Sequence, residues 1–251
     1  MGIRKKKMWE FEDFYFETIP STQDWAKENF SSFAKDKISC VIAEEQTKGR
    51  GSFQKSWFSP KDQNIYATFY LQVPKNTKDI TSLGLVLSLT VCKTLQKEHV
   101  SAKIKWPNDI QVQRKKMGGI LMEISQREDF LDVFLGIGIN VNMEKELLER
   151  IGQPATSLFI ETGHLWDKSK LLKELKKAFL EDFIWFCEKG FAPFHKSYLS
   201  FLNYQKEKIT CKSGNQTYQG ILQTVTPEGK LVLELENGSK KELLSAEIFS
   251  F

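Results

Sequence analysis

A short segment, Lys105 to Glu123, constrains the fold of this chain more than any other stretch. It reads K-W-P-N-D-I-Q-V-Q-R-K-K-M-G-G-I-L-M-E. Pro107 fixes its own φ and disfavours helical backbone at Trp106, so an extended segment should end at this corner. Apolar residues then alternate with glutamines, which predicts a strand, and residues 114–119 should turn the chain into a return strand. We therefore predict a β-hairpin with a stiff corner before it.

The predicted hairpin would gather polar side chains at one point. Asn108 and Asp109 follow the corner and Lys116 lies in the turn, so an amide, a carboxylate and an amine could meet at rigid strand ends. The same segment contains a Gly-Gly turn at residues 118 and 119. The alternative is a basic hairpin whose turn is only solvated, and a second polar cluster upstream favours the functional interpretation.

That second cluster lies at the start of a predicted helix and in a long loop. Ser21-Thr22-Gln23 precedes a helical pattern, and a serine or threonine there is a natural N-cap that could also bind a small polar ligand. A buried strand over residues 38–43 leads to a long loop from Glu45 to Trp57, which contains Gln46 and Gly49-Arg50-Gly51. Glycines, a cation and a flat aromatic ring in one loop suit a phosphate and a base better than a plain surface loop does.

The remaining pattern predicts a mixture of strands and helices. Asn64 to Val73 alternates cleanly, which predicts a strand of an antiparallel type of sheet. A glycine-rich strand ends at Asn140, which we place near a phosphate or metal; the alternative is a bulged central strand. Predicted strands cover residues 14–19, 38–43, 64–73 and 130–142, and predicted helices cover 80–95, 169–187 and 191–204.

The sequence pattern changes near the C-terminal end of the chain. Turn signals follow one another at 213–215, 227–229 and 237–239, which predicts a small meander or barrel. We predict a disordered basic tail over residues 1–13, a catalytic domain over 14–204 and a small β-barrel domain over 205–251.

Composition narrows the class of protein. The chain has 251 residues, 41% of them hydrophobic, so it can bury a core, and its net charge of +4 permits an anionic substrate without arguing for nucleic acid. The four cysteines show neither zinc spacing nor a disulfide framework, and no stretch is long and apolar enough to span a membrane. We expect a cytoplasmic protein with free thiols and no membrane contact.

Together these blocks resemble biotin protein ligase, also called biotin–[acetyl-CoA-carboxylase] ligase. The resemblance rests on their order and spacing across most of the chain. It implies an α+β catalytic domain, with a mixed sheet flanked by helices as in class II aminoacyl-tRNA synthetases, and a C-terminal Src-homology-3-like barrel. It further implies a monofunctional enzyme that binds no operator DNA, because Ser21-Thr22 already opens the catalytic domain and leaves no room for a DNA-binding one.

The resemblance also implies an activity. Biotin and ATP would form biotinyl-5′-AMP with Mg²⁺ as cofactor, and a lysine of the biotin carboxyl carrier protein would then take the biotin. The implied catalytic residues are Lys116, Arg50 and Asp109, with Asp109 also the candidate Mg²⁺ ligand. The implied biotin-binding residues are Ser21, Thr22, Gln23, Gln46, Gly49, Arg50, Lys116 and Gly119. The implied ATP-binding residues are Arg50, Trp57, Asn108, Lys116 and Asn140. Members of the family form monomers and homodimers, and the sequence does not choose between them.

One position departs from the family pattern Gly-Arg-Gly-Arg-x-x-Arg-x-Trp. The second arginine is Ser52 and the third is Lys55. The lost arginine would help to order the loop over the adenylate, so our hypothesis is that this enzyme retains biotinyl-AMP less tightly. Three alternatives remain open at this point: a lipoate or octanoate ligase on the same fold, a binding module for nucleic acid, and an enzyme disabled by Ser52.

Overall fold

The fold is described from a computed structural model, which covers residues 9–249. A seven-stranded mixed sheet forms the larger part, with strand order β1-β2-β3-β7-β6-β5-β4. Its strands are β1 Phe11–Ile19, β2 Ile38–Gln46, β3 Ile65–Pro74, β4 Lys103–Lys105, β5 Asp109–Val112, β6 Lys115–Gln126 and β7 Phe130–Ile139. Only β1 and β2 run parallel; the other neighbours are antiparallel.

Helices cover both faces of this sheet. They are α1 Thr22–Asn29, α2 Leu83–Lys97, α3 Lys145–Glu149, α4 Leu158–Thr162, α5 Lys168–Lys189 and α6 Ala192–Phe201. The alternation in β3 explains the two layers: Ile65, Phe69 and Leu71 share the main core with α2, α5 and α6, whereas Tyr70 packs in a second cluster with Ala26 of α1. Because both faces are covered, β3 is buried along almost its whole length.

A second sheet follows the last helix. Its strands are β8 Lys208–Ser213, β9 Gln216–Val225, β10 Leu231–Leu235, β11 Lys240–Leu243 and β12 Glu247–Phe249, in the order β11-β10-β9-β8-β12. All neighbours in it are antiparallel, in agreement with the predicted meander. The boundary predicted after residue 204 falls in the connection between α6 and β8.

The two sheets are joined by a tryptophan. Trp106, at the corner before β5, is 1% exposed, and its Nε1 donates to the carbonyl oxygen of Gly229 at 3.1 Å. The bond from Trp106 to Pro107 is a cis peptide. The corner that the sequence predicted therefore also connects the seven-stranded sheet to the turn between β9 and β10.

The predicted basic tail was too long. Phe11 to Asp13 belong to β1 and pair with Ile38 to Cys40 of β2, so these residues are ordered. Trp9 packs edge-on against Phe183 of α5, with ring centroids 5.0 Å apart. Apolar residues that lie among the acidic ones make these contacts. The prediction of a disordered tail rested on the charged residues and did not take them into account. Residues 1–8, where the rest of the predicted tail lies, are outside the described part of the chain.

Among residues 9–249, none of the helices has the length and apolarity that a membrane span requires. Cys40, Cys92 and Cys211 are free thiols buried in the core. Burial raises the pKa of Cys211 to about 11 and that of Cys40 and Cys92 further. These three thiols are therefore core residues and not nucleophiles.

Candidate active site

The floor of the site is a row of residues that face one way across the sheet. Strand pairing places Tyr66, Gly138, Gly119, Asp109 and Lys105 side by side on β3, β7, β6, β5 and β4. Paired residues point to the same face of a sheet. The two glycines therefore leave a trough in the middle of this row, with a carboxylate and an amine at its far end.

The indole of Trp57 fills part of this trough. A Cβ atom at Gly138 would lie only 2.5 Å from Trp57 Cε2, whereas one at Gly119 would meet the same ring at an ordinary 3.5 Å. Gly138 is therefore required for the position of Trp57. The indole Nε1 is buried and has no hydrogen-bond partner within residues 9–249, so a ligand that supplies an acceptor there would remove a cost.

The predicted lysine and aspartate meet above the floor. Lys116 Nζ lies 2.6 Å from Asp109 Oδ1, and both side chains are 20% exposed. The same amine lies 5.3 Å from the centroid of the Trp57 ring. Lys105, next to Asp109 in the row, has a pKa lowered mainly by burial. Asp109, Lys105 and the ring of Trp57 thus surround the partly buried ammonium of Lys116. Negative charge that develops on a ligand next to this ammonium would be stabilised.

The start of α1 forms a polar wall. Ser21 is the N-cap, as predicted, and accepts from Asp24 N at 3.2 Å. Gln46 Oε1 accepts from Thr22 N at 2.8 Å and from Thr22 Oγ1 at 3.1 Å, and its Nε2 donates to Ser59 Oγ at 2.9 Å. These bonds fix the amide orientation of Gln46 from both ends.

Gln23 is held by residues from two strands. Its Nε2 donates to Glu123 Oε2 at 2.9 Å, and its Oε1 lies 3.2 Å from Thr68 Oγ1. Gly136 leaves room for this amide, since a Cβ there would lie 2.8 Å from Gln23 Oε1. Gln23 is 3% exposed, so its amide is a fixed part of the wall and not a mobile surface group.

Arg50 lies across the mouth of the site. Its guanidinium pairs with Asp24 and, at 3.0 Å, with Glu123. Burial alone lowers the pKa of Arg50, but the hydrogen bonds from Glu123 and Asp24 outweigh it and raise the pKa. Burial likewise raises the pKa of Glu123, and its bonds from Gln23, Lys27 and Arg50 outweigh that and lower it. Glu123 therefore stays ionised, and it connects α1 to the loop that carries Arg50.

Many of these residues line one cleft. Of the residues predicted for binding or catalysis, those that line it are Ser21, Thr22, Gln23, Gln46, Arg50, Trp57, Asn108, Asp109, Lys116 and Gly119. A second cleft shares Gln46, Trp57 and Lys116 with the first. Gly49 and Asn140 line the second cleft and not the first.

Asn108, Asn140 and Gly49 have local roles that the sequence did not reveal. Asn108 Nδ2 donates to Ile120 O at 2.8 Å and also to the Ser52 hydroxyl. Asn140 Nδ2 donates to Thr156 O at 3.1 Å, which fixes the segment after β7 beside Lys116. A Cβ at Gly49 would lie 2.5 Å from Trp57 O, so only glycine fits there.

Comparison with known proteins identifies the family. Residues 15–140 match the Biotin/lipoate A/B protein ligase family, and residues 207–250 match the Biotin protein ligase C terminal domain. This chain belongs to the biotin/lipoate protein ligase family. The resemblance inferred from the motifs is therefore confirmed.

Several members of the family are similar to it along most of their length. The bifunctional ligase/repressor BirA of Bacillus spizizenii is 30% identical, over 93% of this chain and 72% of its own. The biotin–[acetyl-CoA-carboxylase] ligase of Paracoccus denitrificans is 29% identical, over 83% of this chain and 89% of its own. The biotin protein ligase of Aquifex aeolicus, solved with biotin and ATP, has a TM-score of 0.80 at 31% identity, covering 94% of this chain and 97% of that one.

Sequence reasoning missed several residues that build this ligase fold's site. Thr68, Ser59 and Asp24 each bond a predicted site residue, and Gly136 and Gly138 shape the floor. One signal was available for Thr68, because it lies on the same face of β3 as Tyr66 and Tyr70. Ser59 and Asp24 carry no such signal, since their partners are set by how the loop and helix pack.

Proposed function

We propose that this protein is an ATP-dependent biotin–protein ligase. It joins the carboxylate of biotin to the α-phosphate of ATP, releases pyrophosphate, and passes the biotinyl group from biotinyl-5′-AMP to a lysine of a biotin carrier protein. The observation that carries the proposal is the Lys116–Asp109 pair beside the glycine trough, in a chain that matches biotin ligases over nearly its whole length.

We assign the polar wall to biotin. Ser21, Thr22, Gln23 and Gln46 provide neutral hydrogen-bonding groups on fixed backbone, which suits an uncharged ureido ring. Lys116 lies at the other end of the cleft, where the biotin carboxylate would exchange for Asp109 as its partner. The cleft thus combines neutral polar groups with an ammonium, as a ligand with an uncharged polar ring and a carboxylate tail requires.

Lys116 has one role in both steps. When the carboxylate oxygen attacks the α-phosphorus, negative charge builds on the phosphoryl oxygens, and the ammonium stabilises it without becoming a nucleophile. When the carrier amine attacks the acyl carbon, the C–O bond to AMP breaks and the same ammonium stabilises the departing phosphate. Asp109, once released from Lys116, is placed to accept the proton that the amine loses.

We assign the second cleft to the nucleotide. It meets the first cleft at Lys116 and Trp57 and includes Asn140, so an α-phosphate at Lys116 would leave the rest of the nucleotide there. Within residues 9–249, no three acidic, cysteine or histidine residues cluster to hold a metal ion. Mg²⁺ usually binds through one or two carboxylates and the phosphates of the substrate. Asp109 is the carboxylate that fits this description, and a bound Mg²⁺ would offset phosphate charge.

Acyl specificity tests the proposal most directly. Purified protein, MgATP and a biotin-accepting carrier domain would be mixed with biotin, lipoate or octanoate in turn, and the intact carrier weighed by mass spectrometry. We expect a mass gain with biotin alone. A gain with lipoate or octanoate and none with biotin would assign the chain to the sister activity.

Changing Gly138 to alanine should impair the enzyme without unfolding it. The new methyl would overlap the Trp57 ring, so the ring must move off the floor beside Lys116. We expect kcat/KM to fall roughly 10- to 100-fold, as for other small displacements of site groups. Gly119→Ala is the matched control, because its methyl meets the same ring at 3.5 Å and should have a smaller effect. Equal losses of kcat/KM in the two variants would show that the contact with Trp57 is not the cause of the loss.

Ser52 should influence how long the adenylate stays bound. Its hydroxyl accepts from Asn108, so the loop is attached to the corner before β5 by a neutral bond and not by an arginine. We expect Ser52→Arg to release less free biotinyl-AMP and to label fewer bystander lysines. The readout is the released adenylate, measured by chromatography after a fixed number of turnovers. Equal release from both proteins would refute the hypothesis. Gln54→Arg controls for added loop charge, because Gln54 is exposed in the same loop and lines neither cleft.

The cellular location of the enzyme is also a proposal. Free thiols in a buried core support a reducing compartment, and we place the protein in the cytoplasm. The absence of operator DNA binding and the choice between monomer and homodimer stay predictions from the sequence. Sedimentation velocity at two protein concentrations would distinguish a monomer from a homodimer.

A further inference from the structure

Two cations on the wall of the second cleft have no carboxylate partner. Within residues 9–249, Arg150 makes no ion pair, whereas the other three arginines do; they are Arg50, Arg114 and Arg127. In the same part of the chain, the Lys48 amine makes neither an ion pair nor a hydrogen bond. Arg150 and Lys48 both line the second cleft, so their charges are available to a ligand there.

The charged side chains of this cleft are mostly positive. Among its described lining residues, the cations are Lys48, Lys116 and Arg150, and the carboxylate is Glu45. Glu45 accepts a hydrogen bond from Thr18 Oγ1 of the neighbouring strand at 3.0 Å. A cleft lined by one sign of charge concentrates ligands of the opposite sign. The second cleft therefore suits a ligand that carries several negative charges.

The segment that carries Arg150 is attached to Lys116. Lys116 N donates to Pro154 O at 2.9 Å, and Thr156 N donates to Lys116 O at 2.9 Å. Arg150 ends α3, four residues before Pro154. These main-chain bonds keep the segment beside the amine to which we assign the α-phosphate. A phosphate chain that starts at Lys116 can therefore extend toward Arg150.

Phe58 orients the guanidinium of Arg150. The guanidinium carbon lies 4.8 Å from the centroid of the Phe58 ring, and both side chains line the second cleft. Stacking uses the face of the guanidinium and leaves the N–H groups in its plane able to donate. A planar fork of N–H donors matches two phosphate oxygens, and a lysine amine adds a point charge.

We propose that Arg150 and Lys48 bind the β- and γ-phosphates of ATP and hold the pyrophosphate as it leaves. The inference rests on the proposed function and adds two residues to it, neither of which the family resemblance implied. A biotin carboxylate oxygen bonds to the α-phosphorus, the bond from that phosphorus to the oxygen of the β-phosphate breaks, and pyrophosphate takes the electron pair. Arg150 and Lys48 stabilise the charge that develops on it. Transfer from biotinyl-AMP to a lysine involves no pyrophosphate, so neither residue should affect that step.

The two half-reactions separate pyrophosphate binding from other roles. Arg150→Gln, Lys48→Gln and their double variant would be compared with Lys145→Gln, which removes an exposed cation of α3 that lines neither cleft. Biotin-dependent exchange of pyrophosphate into ATP, without carrier, gives the KM for ATP and for pyrophosphate. A second assay starts from preformed biotinyl-AMP and measures biotinylation of a purified biotin-accepting carrier domain.

The expected result is a loss confined to the first half-reaction. In Arg150→Gln the KM for ATP and for pyrophosphate should each rise about tenfold, as loss of a charge-assisted hydrogen bond does, with transfer from biotinyl-AMP unchanged. Arg150→Lys should recover part of the loss because it keeps the charge without the fork. The double variant should lose more than either single variant, and Lys145→Gln should match the wild type.

The other outcomes would each overturn a definite statement. KM values for ATP and pyrophosphate that stay at the wild-type level in the double variant would overturn the assignment. An equal loss in transfer from preformed biotinyl-AMP would overturn it too and place Arg150 beside the AMP portion. A lower melting temperature with unchanged KM values would show that the stack on Phe58 only stabilises the fold. Absence of biotin-dependent exchange in the wild type would overturn the proposed function and this inference together.

Discussion

Replacing Lys116 with alanine should lower kcat/KM for carrier biotinylation by about 100- to 1000-fold, the loss expected when one preorganised donor is removed. Lys116 is the amine at the junction of the two clefts, and Asp109 is its ion-pair partner at 2.6 Å. Without the ammonium, Asp109 would repel both the biotin carboxylate and the α-phosphate. The loss should therefore appear in adenylate formation as well as in transfer.

Folding should be affected much less than activity. The Lys116 side chain is partly solvated and does not belong to the apolar core. Lys115→Ala is the matched control, since it removes the neighbouring amine, which is exposed and lies outside both clefts. Pyrophosphate exchange and intact-carrier mass would be measured for both variants. A Lys116→Ala enzyme that kept more than about a tenth of wild-type activity would contradict the role given to this lysine.

Replacing Trp106 with alanine should cost more stability than any surface change. The ring is 1% exposed, and deleting a buried tryptophan typically lowers the free energy of unfolding by about 3–5 kcal/mol. For a chain of this length the melting temperature should fall by roughly 10 °C. The Nε1 bond to Gly229 O would be lost too, so the C-terminal sheet should become more sensitive to proteolysis.

A second substitution separates packing from hydrogen bonding. Trp106→Phe keeps most of the apolar ring but leaves the Gly229 carbonyl without its donor, a cost of about 1–3 kcal/mol if that oxygen stays buried. Lys212→Ala, at an exposed position of β8, controls for general effects of mutation. Thermal unfolding and limited proteolysis are the measurements. If Trp106→Ala melted within 2 °C of the control, about the shift for 1 kcal/mol or less, the corner would not hold the two sheets together.

The sequence predicted the elements that depend on local pattern. The alternation in β3, the existence of the hairpin and the N-cap at Ser21 are each encoded within a few residues, and the structure confirms them. The turn predicted over residues 114–119 was wrong: the chain turns at Gln113-Arg114, and Lys116 lies within β6, which begins at Lys115 and pairs with β5. The cleft residues were found through short motifs whose members lie on separate elements. Their predicted roles as ligands of biotin and ATP remain proposals, because they depend on bound molecules.

What the sequence did not reveal depends on distant pairing. Arg50 meets Glu123, Gln23 meets Thr68, and Trp57 meets Gly138 only because the sheet brings β3, β6 and β7 together. No local rule relates residues that lie 45, 73 or 81 positions apart in the sequence. The start of β1 was missed for the same reason, since Phe11 to Asp13 become ordered by pairing with β2 and not by their own acidic surroundings.

The close approach of the Trp57 ring to Gly138 also limits how this site can change over evolution. An indole needs bare backbone beneath it, so a side chain at position 138 is compatible only with a smaller residue at position 57. Substitution at either position alone passes through a poorly packed intermediate. The two positions should therefore covary, and a compensated pair would give a site with a different depth and a different preference for the molecule it holds.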